Sequence, residues 1–145
     1  MDTPREVDIA EFELFADCTK AELRKIRALT TYVRVPQNRV LMREGSRAHE
    51  FIIINSGTAV VSRKTDDGVE TVAEVGSGEF LGEMALLTGT PRNATATAAT
   101  DLGVLVSTAN EFRSIMRIAP TVADKVFQTS MERAAQVELT DAVAA

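Results

Sequence analysis

Apolar positions follow two different periods along this chain, and the changes between them divide it into three zones. Between residues 8 and 29 the spacing is helical. Leu23, Ile26 and Leu29 recur at three-residue intervals, and Thr19 with Glu22 stands at capping-box spacing ahead of them. Phe12, Leu14 and Phe15 precede that run and can pack its entry. From residue 31 to 106 the chain becomes rich in Val, Ile and Thr. Turn chemistry breaks it at short intervals, at Pro36-Gln37-Asn38, Ser56-Gly57 and Asp66-Asp67-Gly68. Strands are predicted over 31–35, 40–44, 50–55, 58–63, 69–75, 94–100 and 102–106. Short strands at such close spacing predict a β-barrel or jelly roll. Helical spacing returns over 108–140. Thr108 precedes a short amphipathic helix carrying Phe112, Ile115 and Met116, and Pro120 suits the first turn of another. That last helix bears Val122, Val126, Phe127, Met131, Ala134 and Val137, and residues 142–145 are expected to fray.

The fold class expected is therefore mainly β with flanking helices, in one domain over 1–145: N-terminal helices (8–30), a barrel (31–107) and C-terminal helices (108–140). One segment, 78–95, interrupts the β pattern: Gly78-Glu79-Phe80-Leu81-Gly82-Glu83-Met84-Ala85-Leu86-Leu87-Thr88-Gly89-Thr90-Pro91-Arg92-Asn93-Ala94-Thr95. Residues 83–88 have the look of a short helix bounded by Gly82 and Gly89. Such a helix opens the sheet and presents free backbone N–H groups, which attract anions. Gly82 lets a ligand approach the backbone closely. Arg92 adds a planar fork suited to phosphate, and Glu83 adds an acceptor for a sugar hydroxyl. A Gly-Glu pair alone is most often a turn with a solvated acid, and Pro-Arg after glycine is usually a surface turn. Their combination in one segment describes a sugar-phosphate cradle.

That combination resembles the phosphate-binding cassette of the cyclic nucleotide-binding domain family, which includes protein kinase A regulatory subunits and the ligand domain of the catabolite activator protein. Gly82-Glu83-Met84-Ala85-Leu86 and Pro91-Arg92-Asn93-Ala94-Thr95 match its two halves, and the Glu83-to-Arg92 spacing matches the kinase type. Leu81 replaces an aromatic residue found in many members. Glu44-Gly45, Phe51-Ile52-Ile53-Ile54 and Gly57 resemble the family's strand signature, and Phe15, Thr19 and Leu23 its N-terminal helical element.

The resemblance implies that Arg92 contacts the exocyclic phosphate and Glu83 accepts the ribose 2′-hydroxyl. Backbone groups of Gly82, Met84, Ala85, Asn93 and Ala94 would complete the site. Asn93 stands where cyclic-GMP binders often carry threonine, so cyclic AMP is the expected ligand and cyclic GMP the alternative. Family members cover the base from a C-terminal helix, and Phe127 and Met131 are the candidates for that lid. The plainer reading of those two is packing against the barrel.

Composition narrows the alternatives. The chain has 145 residues, 45% of them hydrophobic, enough to bury a core without staples. One cysteine, Cys18, forbids an intrachain disulfide and is expected to be a small buried apolar group. Met1 to Ala10 lacks the apolar run of a secretory signal, and no stretch is long enough to span a bilayer, so a cytoplasmic location is expected. The net charge of −5 disfavours nucleic acid as a partner. A single histidine, His49, expected in a loop, leaves no metal set and no base for a nucleophile, so no enzyme, metal or cofactor is expected. No helix-turn-helix module is expected after the last helix, so an unknown protein effector would carry the output. The oligomer expected is a monomer or a weak homodimer through the last helix. The alternative function is a degenerate barrel serving as a protein-interaction module.

Overall fold

The computed structural model describes the backbone of residues 7–144 and the side chains of residues 7–136. The expectations placed on the first six residues, the Val137 side chain and Ala145 lie outside the described residues. Two antiparallel four-stranded sheets face each other, with helices at both ends of the chain. One sheet runs in the order β1 (Thr31–Val35), β8 (Leu102–Thr108), β3 (Glu50–Ser56), β6 (Phe80–Leu81). The other runs β2 (Val40–Met42), β7 (Thr95–Ala98), β4 (Ala59–Thr65), β5 (Gly68–Val75). The arrangement is a double-sheet jelly roll that does not close into a barrel.

The apolar run of β3 explains how the layers hold together. Alternate residues of a strand point to opposite faces. Phe51 and Ile53 face the helices and join Phe80, Leu105, Phe112, Ile115, Val122 and Val126. Ile52 and Ile54 face the opposite sheet and join Val35, Ala59, Val75, Leu81, Ala96 and Val104. A strand buried on both faces carries apolar residues at successive positions, as Phe51, Ile52, Ile53 and Ile54 do here. Phe51 sits between two other rings, 4.7 Å from Phe112 and 5.5 Å from Phe80.

Seven of the eight strands lie within a few residues of their expected positions. β6 was not expected, because two residues carry no period; it exists through its register with β3, Leu81 opposite Ile52 and Phe80 opposite Ile53. The N-terminal zone is not one helix. It forms two 3-10 segments, Ile9–Glu11 and Glu13–Phe15, before α1 (Lys20–Ala28), which opens with the capping box of Thr19 and Glu22. Ile9, Phe12, Leu14 and Phe15 are all buried, and their uneven spacing cannot point to one face of a regular helix. Between β6 and β7 the expected short helix is α2 (Glu83–Thr88). A second capping box, Thr108 with Glu111, opens α3 (Ala109–Ile118).

The last helix, α4 (Pro120–Ala144), runs past the expected end at Thr140 and includes residues 142–144, expected to fray. It is seated by the buried Val122 and Val126 and by Lys125, whose Nζ donates to the Glu13 carbonyl at 2.6 Å and lies 3.0 Å from Asp17. Cys18, expected to be a small buried apolar group, is partly buried at the edge of the helix-facing core beside Thr121. Burial still raises its thiol pKa.

Phe51→Ala removes the ring shared by β3, β6 and α3. It should lower the unfolding free energy by about 3–5 kcal/mol, measured by urea denaturation. A loss under about 1 kcal/mol would mean that the helices do not depend on this contact.

Candidate functional site

Gly82 joins β6 to α2 with φ at 90°, a left-handed conformation that glycine adopts without cost. The space beside it is also closed. A Cβ there would lie 2.7 Å from Arg92 Nη1, 2.9 Å from the Glu50 carbonyl oxygen and 3.2 Å from Met42 Cε. Backbone conformation and close approach therefore each require glycine.

What crowds Gly82 is the Arg92 guanidinium. Arg92 is 6% exposed, donating from Nη1 to the Gly82 carbonyl at 2.7 Å and from Nη2 to the Glu50 carbonyl at 2.5 Å. Its backbone is clamped as well: its N–H donates to Ser46 O at 2.8 Å, and its carbonyl accepts from Gly45 N at 2.7 Å. Among the described residues no carboxylate comes within ion-pair distance of it. Burial lowers its pKa, and the fields of Glu50 and Glu83 act in the opposite direction. Arginine stays protonated regardless, so the group is a buried cation with neutral hydrogen-bond partners.

Glu83 is 2% exposed at the start of α2. Its Oε2 accepts from the Met84 backbone N–H at 3.0 Å. Its Oε1 accepts a short charge-assisted bond from Arg133 Nη1 on α4. Arg133 Nη2 also donates to the Phe80 carbonyl at 2.7 Å, and its guanidinium lies 5.0 Å from the Phe80 ring centroid. One α4 side chain thus binds the cassette carboxylate, the β6 backbone and an aromatic face.

These groups border a cavity of about 350 Å³, within the range of small-ligand sites. Gly82, Glu83, Met84, Ala85, Arg92, Asn93 and Ala94 all line it. Met42, Val61, Val72, Val75, Leu81 and Ala96 form its apolar wall, and Arg63, Glu70 and Thr71 come from the β4–β5 hairpin. Asn93 is at the exposed rim, with Nδ2 3.4 Å from Met84 Sδ. Of the charged residues on the lining, three are arginines (Arg63, Arg92, Arg133) and two are glutamates (Glu70, Glu83), leaving one positive charge.

The structure does not bring Phe127 and Met131 to this cavity. Both are 59% exposed and line a separate groove with Leu87 and Met116. From α4 the cassette cavity is met by Arg133 and Gln136 instead. Helical period accounts for the difference. Arg133 falls roughly 20° from buried Val126 around the helix, whereas Phe127 and Met131 fall roughly 100–140° away. The seven-residue spacing of Arg133 from Val126, two helical turns, was the signal that could have singled it out.

The sequence profile of the cyclic nucleotide-binding domain matches residues 32–118. The chain belongs to the cyclic nucleotide-binding domain family. It is 30% identical over 131 residues to an acetyltransferase, Pat, of Mycolicibacterium smegmatis, covering 90% of this chain and 39% of that protein. It is 35% identical over 109 residues to a cAMP-dependent protein kinase regulatory subunit of Yarrowia lipolytica, covering 74% of this chain and 28% of that one. The chain thus spans about a third of these curated relatives. In fold it is similar to the catabolite activator protein of Thermus thermophilus, with a TM-score of 0.79 and 24% identity, covering 90% of this chain and 62% of the other.

Two substitutions probe this geometry. Gly89→Ala meets open space and should lose only about 1 kcal/mol to its left-handed backbone. Gly82→Ala adds overpacking to the same backbone cost and should lose about 3 kcal/mol, read from thermal or urea melts. Equal losses would mean that the crowding at Gly82 is relieved without cost. Arg133→Met leaves Glu83 buried without its cation. Because Arg133 is about a third exposed, the loss should be about 1–2 kcal/mol, below that of a fully enclosed pair. Adding Glu83→Gln should recover part of that loss, and an additive double mutant would argue against the pairing.

Proposed function

We propose that this chain is a non-enzymatic receptor for a cyclic nucleotide, cyclic AMP ahead of cyclic GMP. The observation that carries the reading is Arg92, a buried guanidinium bound among the described residues only to carbonyls, on the wall of a cavity of about 350 Å³. A buried cation without a counter-ion favours an anion beside it. The single surplus positive charge of the lining suits the single negative charge of a cyclic phosphodiester. Among the described residues, donors occupy two of the roughly four acceptor sites of Glu83, which leaves capacity for a ribose hydroxyl. Val61, Val72 and Ala96 offer an apolar wall to the base. Similarity to a cAMP-dependent kinase subunit of Yarrowia supports that nucleotide, with Asn93 at the position that would meet the purine or ribose edge.

In this reading Arg133 is the α4 residue that senses occupancy. It holds the same carboxylate that a ribose would engage, so ligand entry changes the partners of Arg133 and with them the seating of α4. The acetyltransferase and kinase-subunit relatives are matched over 39% and 28% of their lengths. The domain would accordingly carry the ligand switch, with the output delivered by an effector protein in the cytoplasm. The retained pair of Glu83 and Arg92 is what speaks against a degenerate interaction module.

Calorimetric titration of refolded protein with cyclic AMP and cyclic GMP tests the reading. One-to-one saturation with cyclic AMP preferred is expected. Arg92→Ala removes a charge-assisted contact of about 1.5–3 kcal/mol and should weaken binding by tenfold or more. Glu83→Gln should weaken it less, and 2′-deoxy cyclic AMP should bind wild type worse than the parent nucleotide. No heat with either nucleotide would favour the interaction module.

A further inference from the structure

On the outer side of Arg92 lies a second cleft, of about 450 Å³, between β2 and the loop that leads to β3. Its charged lining consists of Arg39, Arg43, Arg47, His49, Arg92 and one acid, Glu50. In a chain with a net charge of −5, this is a local reversal of sign. The three outer arginines are exposed, and among the described residues their side chains make no ion pair or hydrogen bond.

The fold keeps this cleft basic. Glu44 lies between Arg43 and Arg47 in sequence and could neutralise either. Instead its Oε1 accepts from the Lys64 backbone N–H on β4 at 2.9 Å, and its own N–H donates to Thr95 Oγ1 at 3.0 Å. The loop itself is held in shape. Ser46 Oγ donates to Arg43 O at 2.6 Å, and Gly45 and Ser46 exchange backbone bonds with Arg92. The β2 register shifts between Val40 and Met42, and a bulge of this kind re-aims neighbouring side chains. The cations are therefore presented by an anchored backbone rather than by a loose loop.

We propose that this cleft docks an acidic segment of a partner protein. All of its fixed cations are arginines, whose planar forks pair with carboxylates two bonds at a time. A concave site of this size accepts a few carboxylate side chains. A nucleic-acid duplex or an anionic bilayer would extend beyond it over a surface whose net charge repels them. The proposal stands on a different cleft from the nucleotide reading and holds whether or not the cassette binds a nucleotide.

Fluorescence anisotropy with a labelled deca-glutamate peptide tests it, at 20 and 200 mM NaCl. Saturable binding that weakens with salt is expected. Reversing two charges in the cleft, Arg43→Glu with Arg47→Glu, should weaken it by about tenfold or more. The same reversal on the exposed face of α1, Arg24→Glu with Lys25→Glu, should leave it unchanged. Neither pair carries a described side-chain bond, and matched melting curves would verify that each variant folds. No saturation at low salt overturns the proposal. So does an equal loss in both variants, which would reflect overall charge. Tighter binding of a 12-base-pair duplex that depends on Arg43 and Arg47 would overturn it in favour of nucleic acid. Salt-labile self-association lost in the cleft variant would make the occupant a second copy of this chain.

Discussion

The Arg92 guanidinium bonded to the Gly82 and Glu50 carbonyls is the contact on which the site depends. The Glu50 carbonyl opens β3, the Gly82 carbonyl follows its partner strand β6, and Arg92 itself arrives on the turn before β7. Three chain segments therefore converge on one planar cation. The convergence sets the demands on its neighbours: Gly82 must lack a side chain, and the loop before β3 must bond the Arg92 backbone in both directions. Burying a cation against neutral acceptors alone is expensive.

The second electrostatic element works differently. Glu83 is as deeply buried as Arg92, but its charge is met within the chain, by Arg133 from a helix fifty residues away. Among the described residues the two buried charges of the cassette are thus unequal: the acid has an ion-pair partner and the base has none. This asymmetry sets the cassette apart from a structural ion-pair network, in which both would be paired. It also places α4 at the site through polar side chains, Arg133 and Gln136 among the described residues.

Much of the fold was legible in the sequence because it rests on local signals. Alternation and turn residues located the strands to within a few positions. Capping boxes at Thr19–Glu22 and Thr108–Glu111 located two helix starts, and the cassette residues 82–94 form one contiguous segment. What was not legible depends on pairing across the chain. β6 has no period of its own and is a strand only because Ile52 and Ile53 lie beside it. Phe127 and Met131 are apolar, so a helix reading turns them inward, whereas the helix face set by Val122 and Val126 leaves them outside. Arg133 was overlooked for the converse reason: a charged residue is assigned to solvent until a buried carboxylate claims it.

The reach of Arg133 bears on where this unit can be cut. The stretch that matches the family profile ends at residue 118, at the close of α3. Both sheets and the whole cassette lie within the chain up to that point. The only cation described on Glu83 lies beyond it, on α4. A fragment trimmed to the recognisable family boundary would keep every strand and every cassette residue, yet enclose a carboxylate with no counter-charge. The smallest intact unit is therefore bounded by charge balance rather than by the last strand, and it extends at least through Arg133.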